Sequence, residues 1–416
     1  MKYVGWQVGI TYQTKKREGL NKKYLRNLLR EMRENGMNFI SFMKRSVEMK
    51  EINIDILRSK TIEYIESMRV KEGSFQYRYG SSTGKQVLYA SCYAVMTKHL
   101  YNDLKDNESK KAWANYINSF QADDGLFKDP VVSDSPLINY DWWGWRHLTS
   151  HAVVALSCLG SVAEKEFIFL RPFYNPDFVI SWLEGRDWST PSGADNAGNE
   201  VLNYGQLLQY ARDFHNDTKA SKAVEVMLEW LKEKQNPLYG AWGPEEIDIN
   251  DRMALSDVMM GGYHEYLLFF YDRIDIRYKE VIIDRILSLQ NEKGGFTGPH
   301  HPVSSACQDI DCIDPLVRLS FQTDYKREEI KVSIERAVEN VISHQNPDGG
   351  FVFSRGKPFI YGHKEMSSLT DESSMFATWF RTLSLAVASK VLLETDIGRF
   401  KWQFTGCPGY QFWREG

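Results

Sequence analysis

The sequence predicts an all-α protein, a closed (α/α)6 toroid of six helical-hairpin repeats carrying a short β-α-β appendage at its N-terminus. Two observations lead there. A short element, a helix end followed by Gln-Asn or a similar pair, a glycine and an aromatic ring, recurs six times; its rings are Phe75, Phe127, Trp188, Trp242, Phe296 and Phe351, separated by 52, 61, 54, 54 and 55 residues. A unit of about 55 residues holds two helices of roughly 15 to 20 residues and two loops at about 1.5 Å rise per residue. The second observation is an alternation of helix type. Segments such as 220–234 and 281–289 place apolar residues three and four apart, as an amphipathic outer helix does. Segments 89–96, 151–159 and 377–391 are apolar or small on most sides and belong inside. Six amphipathic helices around six apolar ones close a double barrel.

In chain order, Val4 to Ile10 reads as a strand, Asn21 to Asn35 as a helix stopped by Gly36, and Met37 to Met43 as a second strand. This β-α-β unit, residues 1–50, resembles the opening of a TIM-barrel glycosidase, although the rest of such a barrel is absent. Residues 51–396 form the toroid, and 397–416 a C-terminal aromatic tail packed on it. In each repeat the glycine is expected to end the outer helix in a left-handed conformation while the ring packs under the next hairpin.

Composition narrows the function. A net charge of -4 over 416 residues lacks the basic excess that phosphate neutralisation requires, which sets nucleic acid aside. No stretch approaches the 18 or so apolar residues of a membrane span, and no signal-like run follows Met1-Lys2, so a cytoplasmic location is expected. The five cysteines form no CxxC pair and are odd in number, against a disulfide framework. Aromatic residues make up 13% of the chain, more than a helical core usually needs, and some of them are expected to line a cavity.

The inner helices of a toroid run parallel, so their positive N-terminal ends converge at one mouth and polar residues there are the candidates for chemistry. The densest group is SACQDIDCIDPL, with Asp309, Asp311 and Asp314. Asp309 and Asp311 lie about 200° apart on an ideal helix; Asp311 shares a face with Asp314 and with Cys307. Capping explains one or two aspartates but hardly three, and a carboxyl held near others in a partly dry mouth keeps its proton and becomes a donor. YDWWGWRHLTSH follows, with His147 and His151 four apart beside Arg146, and with Trp142, Trp143 and Trp145 as cavity lining. A third group is Asp257 with Tyr263 and His264; a fourth is His363, Asp371 and Glu372, where Ser373 and Ser374 read as helix caps. Asp309, Asp311, Asp314, Asp257 and His147 are the candidate catalytic residues, and the remaining residues of these groups the candidate substrate-binding ones. No nucleophile elbow, P-loop or dinucleotide fingerprint occurs. No cofactor is required by the sequence.

The Q-x-x-x-G-G-F elements at Gln290–Phe296 and Gln345–Phe351, repeated at 55-residue spacing over residues 50–396, resemble those of the prenyltransferase and squalene-cyclase toroid superfamily. Within it, Asp309-Ile310-Asp311-Cys312 resembles the Asp-x-Asp-Asp acid motif of class II terpene cyclases, with Cys312 in place of the last Asp. Prenyltransferase β subunits bind zinc through Asp-x-Cys and a distant His; here the order is reversed, and a zinc ion would fall to Cys307, Asp309 and His264, or His363 in place of His264. The resemblance therefore implies first a prenyltransferase- or terpene-cyclase-like enzyme doing acid-initiated chemistry on an isoprenoid-type substrate. The same toroid carries glycan-active enzymes, so a polysaccharide lyase, hydrolase or sugar epimerase is the second reading, with a glycan as partner. A non-catalytic binding scaffold is the third.

Overall fold

The sequence divides into two units, Met1–Lys50 and Glu51–Gly416. The computed structural model describes residues 52–104, 106–297 and 303–414. The expected β-α-β unit at 1–50 lies outside them.

Outer and inner helices alternate along the chain as the repeats require. They are α1 (Ile54–Ser67) and α2 (Leu88–Leu100), α3 (Asn107–Asn118) and α4 (Trp145–Cys158), α5 (Pro176–Glu184) and α6 (Pro191–Phe214). The second half adds α7 (Thr218–Lys234) and α8 (Arg252–Asp272), α9 (Lys279–Leu289) and α10 (Ala306–Ser320), α11 (Arg327–Ser343) and α12 (Met375–Ala388). The even-numbered helices pack on one another in sequence, and α12 returns to α2, closing the ring. Burial follows the pattern: every residue of α12 is buried, whereas α7 buries Ala220, Ala223, Val224, Met227, Leu228 and Leu231, a stripe at helical spacing. Among the described residues no helix is long and apolar enough to cross a membrane.

The repeated glycine-aromatic element works as a clip between neighbouring hairpins. In four repeats the glutamine amide at its start donates both to the glycine carbonyl of its own turn and across to the next outer helix or its approach: Gln121 to Gly125 and Lys165, Gln235 to Gly240 and Arg277, Gln290 to Gly294 and Ser333, Gln345 to Gly349 and the Thr61 hydroxyl. The last of these clips joins the sixth repeat to α1. Gly349 has φ +90°, and a Cβ there would lie 2.0 Å from the Lys60 carbonyl oxygen, so the position needs both the left-handed backbone and the missing side chain. The left-handed glycines sit in the turn after the outer helix, a few residues beyond its end, rather than ending the helix itself. Gly185 of the third repeat departs further, staying right-handed at φ −79° as the C-cap of α5. Phe127, Phe296 and Phe351 are fully buried, while Phe75 and Trp188 are half-buried.

Two features lay outside the repeat reading. The loop between α11 and α12 carries a two-stranded antiparallel hairpin, β1 (Phe359–Ile360) with β2 (Ser367–Ser368), over the mouth. Beyond a short helix, α13 (Asp396–Arg399), the C-terminal segment enters the opposite end of the barrel: Trp402, Cys407, Tyr410 and Phe412 are buried there. Gln411 fixes it, donating to the Met96 carbonyl and accepting from the Trp379 indole.

Candidate functional site

The helix starts place the polar candidates. Ser305 caps α10 in a capping box with Gln308, so the three aspartates that follow are not spent on capping. Asp251 caps α8 and Ser374 caps α12 through their side-chain oxygens. Thr190 and Pro191 start α6, and the first turns of this 24-residue helix bring Asp195 into the mouth.

The three aspartates of α10 take three different roles. Asp309 is fully buried and committed: its Oδ2 accepts from Arg381 at 2.8 Å, Ser304 at 2.8 Å and Asn340 at 2.9 Å, and its Oδ1 from the Phe296 amide. It thereby holds the fifth repeat's ring to α11 and α12. Asp314 accepts from Arg318 at 2.6 Å and from the Tyr263 hydroxyl at 3.1 Å, while Arg318 also donates to the Phe412 carbonyl. That pair ties α10 to α8 and to the C-terminal segment. Asp311 is different. It is 2% exposed, and among the described residues neither of its oxygens has a hydrogen-bond partner. Burial first, then the charges of Asp195, Asp309 and Asp314, push its carboxyl well above the ordinary value, which favours the protonated form.

Asp195, absent from the sequence-based candidates, is the second carboxyl of this wall. Burial and then the charge of Asp257 raise it to about 7. Asp257 itself is half-buried and raised by burial and Asp251. His264 stands on the same wall, pushed down to about 4 by burial. Tyr410 forms the floor between the walls, its ring 5.9 Å from His264 and 6.1 Å from Tyr263 on one side, 5.8 Å from His151 and 5.9 Å from Trp379 on the other. Nothing short in the sequence points to it; Tyr410 reaches the centre only because the chain returns there after closing the ring.

The opposite wall is aromatic. Tyr89, Tyr93, Trp143, Tyr361, Phe376, Trp379 and Phe380 form a continuous set of ring contacts at 4.4–6.3 Å. His147 and His151 lie in it with centroids 4.3 Å apart, as their spacing on α4 predicts. His147 has a tyrosine hydroxyl on each nitrogen, Tyr89 at 2.9 Å from Nδ1 and Tyr361 at 2.8 Å from Nε2. Burial, then the nearby His151 and His264, keep it well below the usual imidazole range and so neutral. His151 donates from Nδ1 to the His147 carbonyl, and its Nε2 has no partner.

Other candidates fall on the rim. Trp142 and Trp145 are half-buried, outside the interior ring contacts just given. Arg146 pairs with Asp141 at 3.4 Å and donates to the Asn139 carbonyl. His363 bonds Asp134 at 2.9 Å and accepts from the Glu365 amide. Asp371, at φ +58°, accepts from the Gly356 amide. Glu372 accepts from Ser81, from both the amide and hydroxyl of Ser82, and from the Leu369 amide, stitching two mouth loops together.

The zinc set named from the sequence is not assembled. Asp309 gives its oxygens to Arg381, Ser304, Asn340 and Phe296, and among the described residues no three His, Cys, Asp or Glu side chains are grouped as metal ligands. Cys307, Asp309 and His264 therefore do not fit a metal ion. Two surface clefts of about 720 Å³ lie elsewhere, one lined by Glu66, Lys98 and Trp113, the other by Glu166, Tyr174 and His215; Asp311 lines neither.

The model of the prenyltransferase alpha-alpha toroid domain matches residues 14–144, 207–364 and 266–397. No curated protein matches the sequence. Similar solved structures include a type II terpene cyclase, MstE from Scytonema, in complex with geranylgeranyl dihydroxybenzoate (13% identity, 81% of this chain and 97% of that chain, TM-score 0.45). They also include a polysaccharide lyase (11% identity, 82% and 98%, TM-score 0.44) and a GH76 alpha-mannanase from Bacteroides thetaiotaomicron (10% identity, 84% and 99%, TM-score 0.46). These likenesses carry no information about substrate.

Proposed function

The chain belongs to the prenyltransferase alpha-alpha toroid domain family, and from that premise we propose that it is an enzyme of acid-initiated chemistry on an isoprenoid-type substrate, with Asp311 as the proton donor. One observation carries the reading: a buried carboxyl, pushed toward its protonated form, with both oxygens free of partners among the described residues and an aromatic wall opposite it. An unpaired buried carboxyl costs stability, and a neutral acid held out of water is the state from which a proton is delivered to an alkene. The ring faces of Tyr410, Trp379, Phe376 and Phe380 would then stabilise the cation that forms, each by about 0.5–2 kcal/mol. Asp309 and Asp314 support the donor indirectly, fixing α10 through Arg381 and Arg318.

A second reading, a glycan-active enzyme, is favoured by Asp195. Asp195, raised to about 7, neighbours Asp311, which is raised as well, and two buried carboxyls so placed suit acid and base roles on a sugar. The test is a substrate panel, with farnesyl- and geranylgeranyl-bearing compounds and squalene on one side and neutral and uronate-containing oligosaccharides on the other, read by mass spectrometry for wild type and Asp311→Asn. Conversion of an isoprenoid chain to an isomer, lost in Asp311→Asn, is the expected outcome. Turnover of an oligosaccharide alone moves the conclusion to the second reading, and turnover unaffected by Asp311→Asn removes Asp311 from the site.

A further inference from the structure

We propose that Tyr361, backed by His147 and Tyr89, is the proton acceptor of the barrel, taking the proton that leaves the substrate when the reaction started by Asp311 ends. This deepens the proposed function and rests on it in placing the substrate in the space that Asp311 faces.

Three repeats converge to build this chain of groups. Tyr361 stands on the mouth loop between α11 and α12, next to β1, and its ring stacks on Phe376 at 4.7 Å and meets Trp143 edge-on at 6.3 Å. Its hydroxyl reaches His147 on α4, and His147 reaches Tyr89 on α2. Gly362, at φ +74°, lies so close that a Cβ there would be 2.3 Å from the Trp143 ring, which fixes the loop against this wall.

Hydrogen-bond direction follows from the far end. The Tyr89 hydroxyl lies 3.1 Å from the Gly144 carbonyl oxygen and 2.9 Å from His147 Nδ1. It has one proton. Pointing that proton at Nδ1 would set the lone pairs of two oxygens against each other at 3.1 Å; pointing it at Gly144 removes the repulsion and leaves the Tyr89 oxygen to accept from His147 Nδ1–H. A neutral imidazole protonated on Nδ1 is bare on Nε2, and Tyr361 donates there. The chain thus runs Tyr361 to His147 to Tyr89 to a fixed carbonyl, and its one half-exposed member is Tyr361.

Tyr361 and Asp311 are linked through the groups between them. The electrostatic neighbours of the Tyr361 hydroxyl include Tyr410 and Cys307, and those same two groups have Asp311 as a neighbour. His151 also carries a bare nitrogen, but its entire side chain is sealed beneath Tyr89, Tyr93 and Trp379.

The step balances without a further reagent. A C–H bond beside the cationic carbon breaks, and its electron pair becomes the new C=C bond. The proton bonds to the Tyr361 oxygen as the proton of Tyr361 passes to His147 Nε2, giving an imidazolium whose Nδ1–H is held by Tyr89. The positive charge moves from substrate to imidazole, opposite the carboxylate that Asp311 became when it gave up its own proton. Burial beside His151 and His264 disfavours the imidazolium, so the proton returns to Asp311 through water between turnovers.

Two measurements on the full chain test this. In protein labelled with 15N-histidine, with His147 assigned by comparison with His147→Gln, the long-range 1H–15N spectrum should show His147 protonated on Nδ1 and bare on Nε2, and Tyr361→Phe should move the Nε2 resonance further toward the non-bonded position. A His147 protonated on Nε2 overturns the proposal. On an isoprenoid converted in an Asp311-dependent way, Tyr361→Phe should lower kcat by about 10²-fold or divert the product from alkene to water-quenched alcohol. Unchanged rate and product with Asp311 still required overturn the acceptor while leaving the proposed function standing. If no isoprenoid is converted, the substrate reading fails and the chain of proton donors stands or falls on the spectrum alone.

Discussion

Asp309, Asp311 and Asp314 occupy six positions of one helix and differ entirely in what meets them. Asp314 finds Arg318 one turn on, a pairing visible in the sequence; Asp309 finds Arg381, 72 residues away, which is not. Only Asp311 is left with its carboxyl unmet, and that difference, rather than the resemblance to an acid motif, singles it out. Its cost appears as a pH dependence. Asp311 and Asp195 both have folded values above the roughly 4 of an unfolded chain, so the folded state keeps protons that the unfolded chain releases, and stability falls as pH rises from about 4. For Asp195 the loss ends near its folded value of about 7. Melting temperatures between pH 4 and 8 should therefore show Asp311→Asn gaining on the wild type as pH rises, and Asp195→Asn gaining only up to about pH 7. A constant difference across that range would mean that these carboxyls are ionised in the folded protein.

At the scale of elements, the 55-residue period was legible because each hairpin must solve the same docking problem against its neighbour, and the Gln-to-Gly clip is that solution written locally. The start of α6 is hard to read for an equally local reason: the small and polar GADNAGNE segment has loop composition, yet Thr190 and Pro191 ahead of it form an N-cap followed by proline at the first helical position, the signal that points to Asp195. The clip makes a paired prediction. Gly73 and Gly349 both have positive φ, but a Cβ on Gly73 meets nothing within 4 Å and one on Gly349 meets the Lys60 backbone. In urea unfolding, Gly73→Ala should cost about 1–2 kcal/mol, the left-handed penalty alone, and Gly349→Ala clearly more. Equal losses would show that the clip yields to a methyl group. Phe296, buried and tied to Asp309 through its amide, should lose about 3–5 kcal/mol on change to Ala, and an unaltered unfolding midpoint would refute the packing of the repeat rings.

Across the whole molecule, ring closure and the return of the chain into the barrel decide where the site sits, and neither is written in any window of sequence. The aromatic character of the C-terminal segment was legible; its destination was not, since Tyr410 gains its neighbours from α4, α8 and α12, which come together only once the ring has closed. The same segment is held at three points, by Arg318 on the Phe412 carbonyl, by the Trp379 indole on Gln411 and by Gln411 on the Met96 carbonyl. It therefore acts as a floor that joins α2, α10 and α12 across the barrel. Tyr410→Ala tests this architectural role through stability alone. Removing one large buried ring should cost about 3–5 kcal/mol and open a void between His151 and His264, while Asp311 keeps its surroundings on α10. Binding of a small apolar probe such as benzene, which stabilises an apolar cavity against thermal unfolding, should raise the melting temperature of the variant more than that of the wild type. If the two proteins respond alike, the barrel has closed over the gap, and the floor belongs to the packing of the ring rather than to the shape of the site.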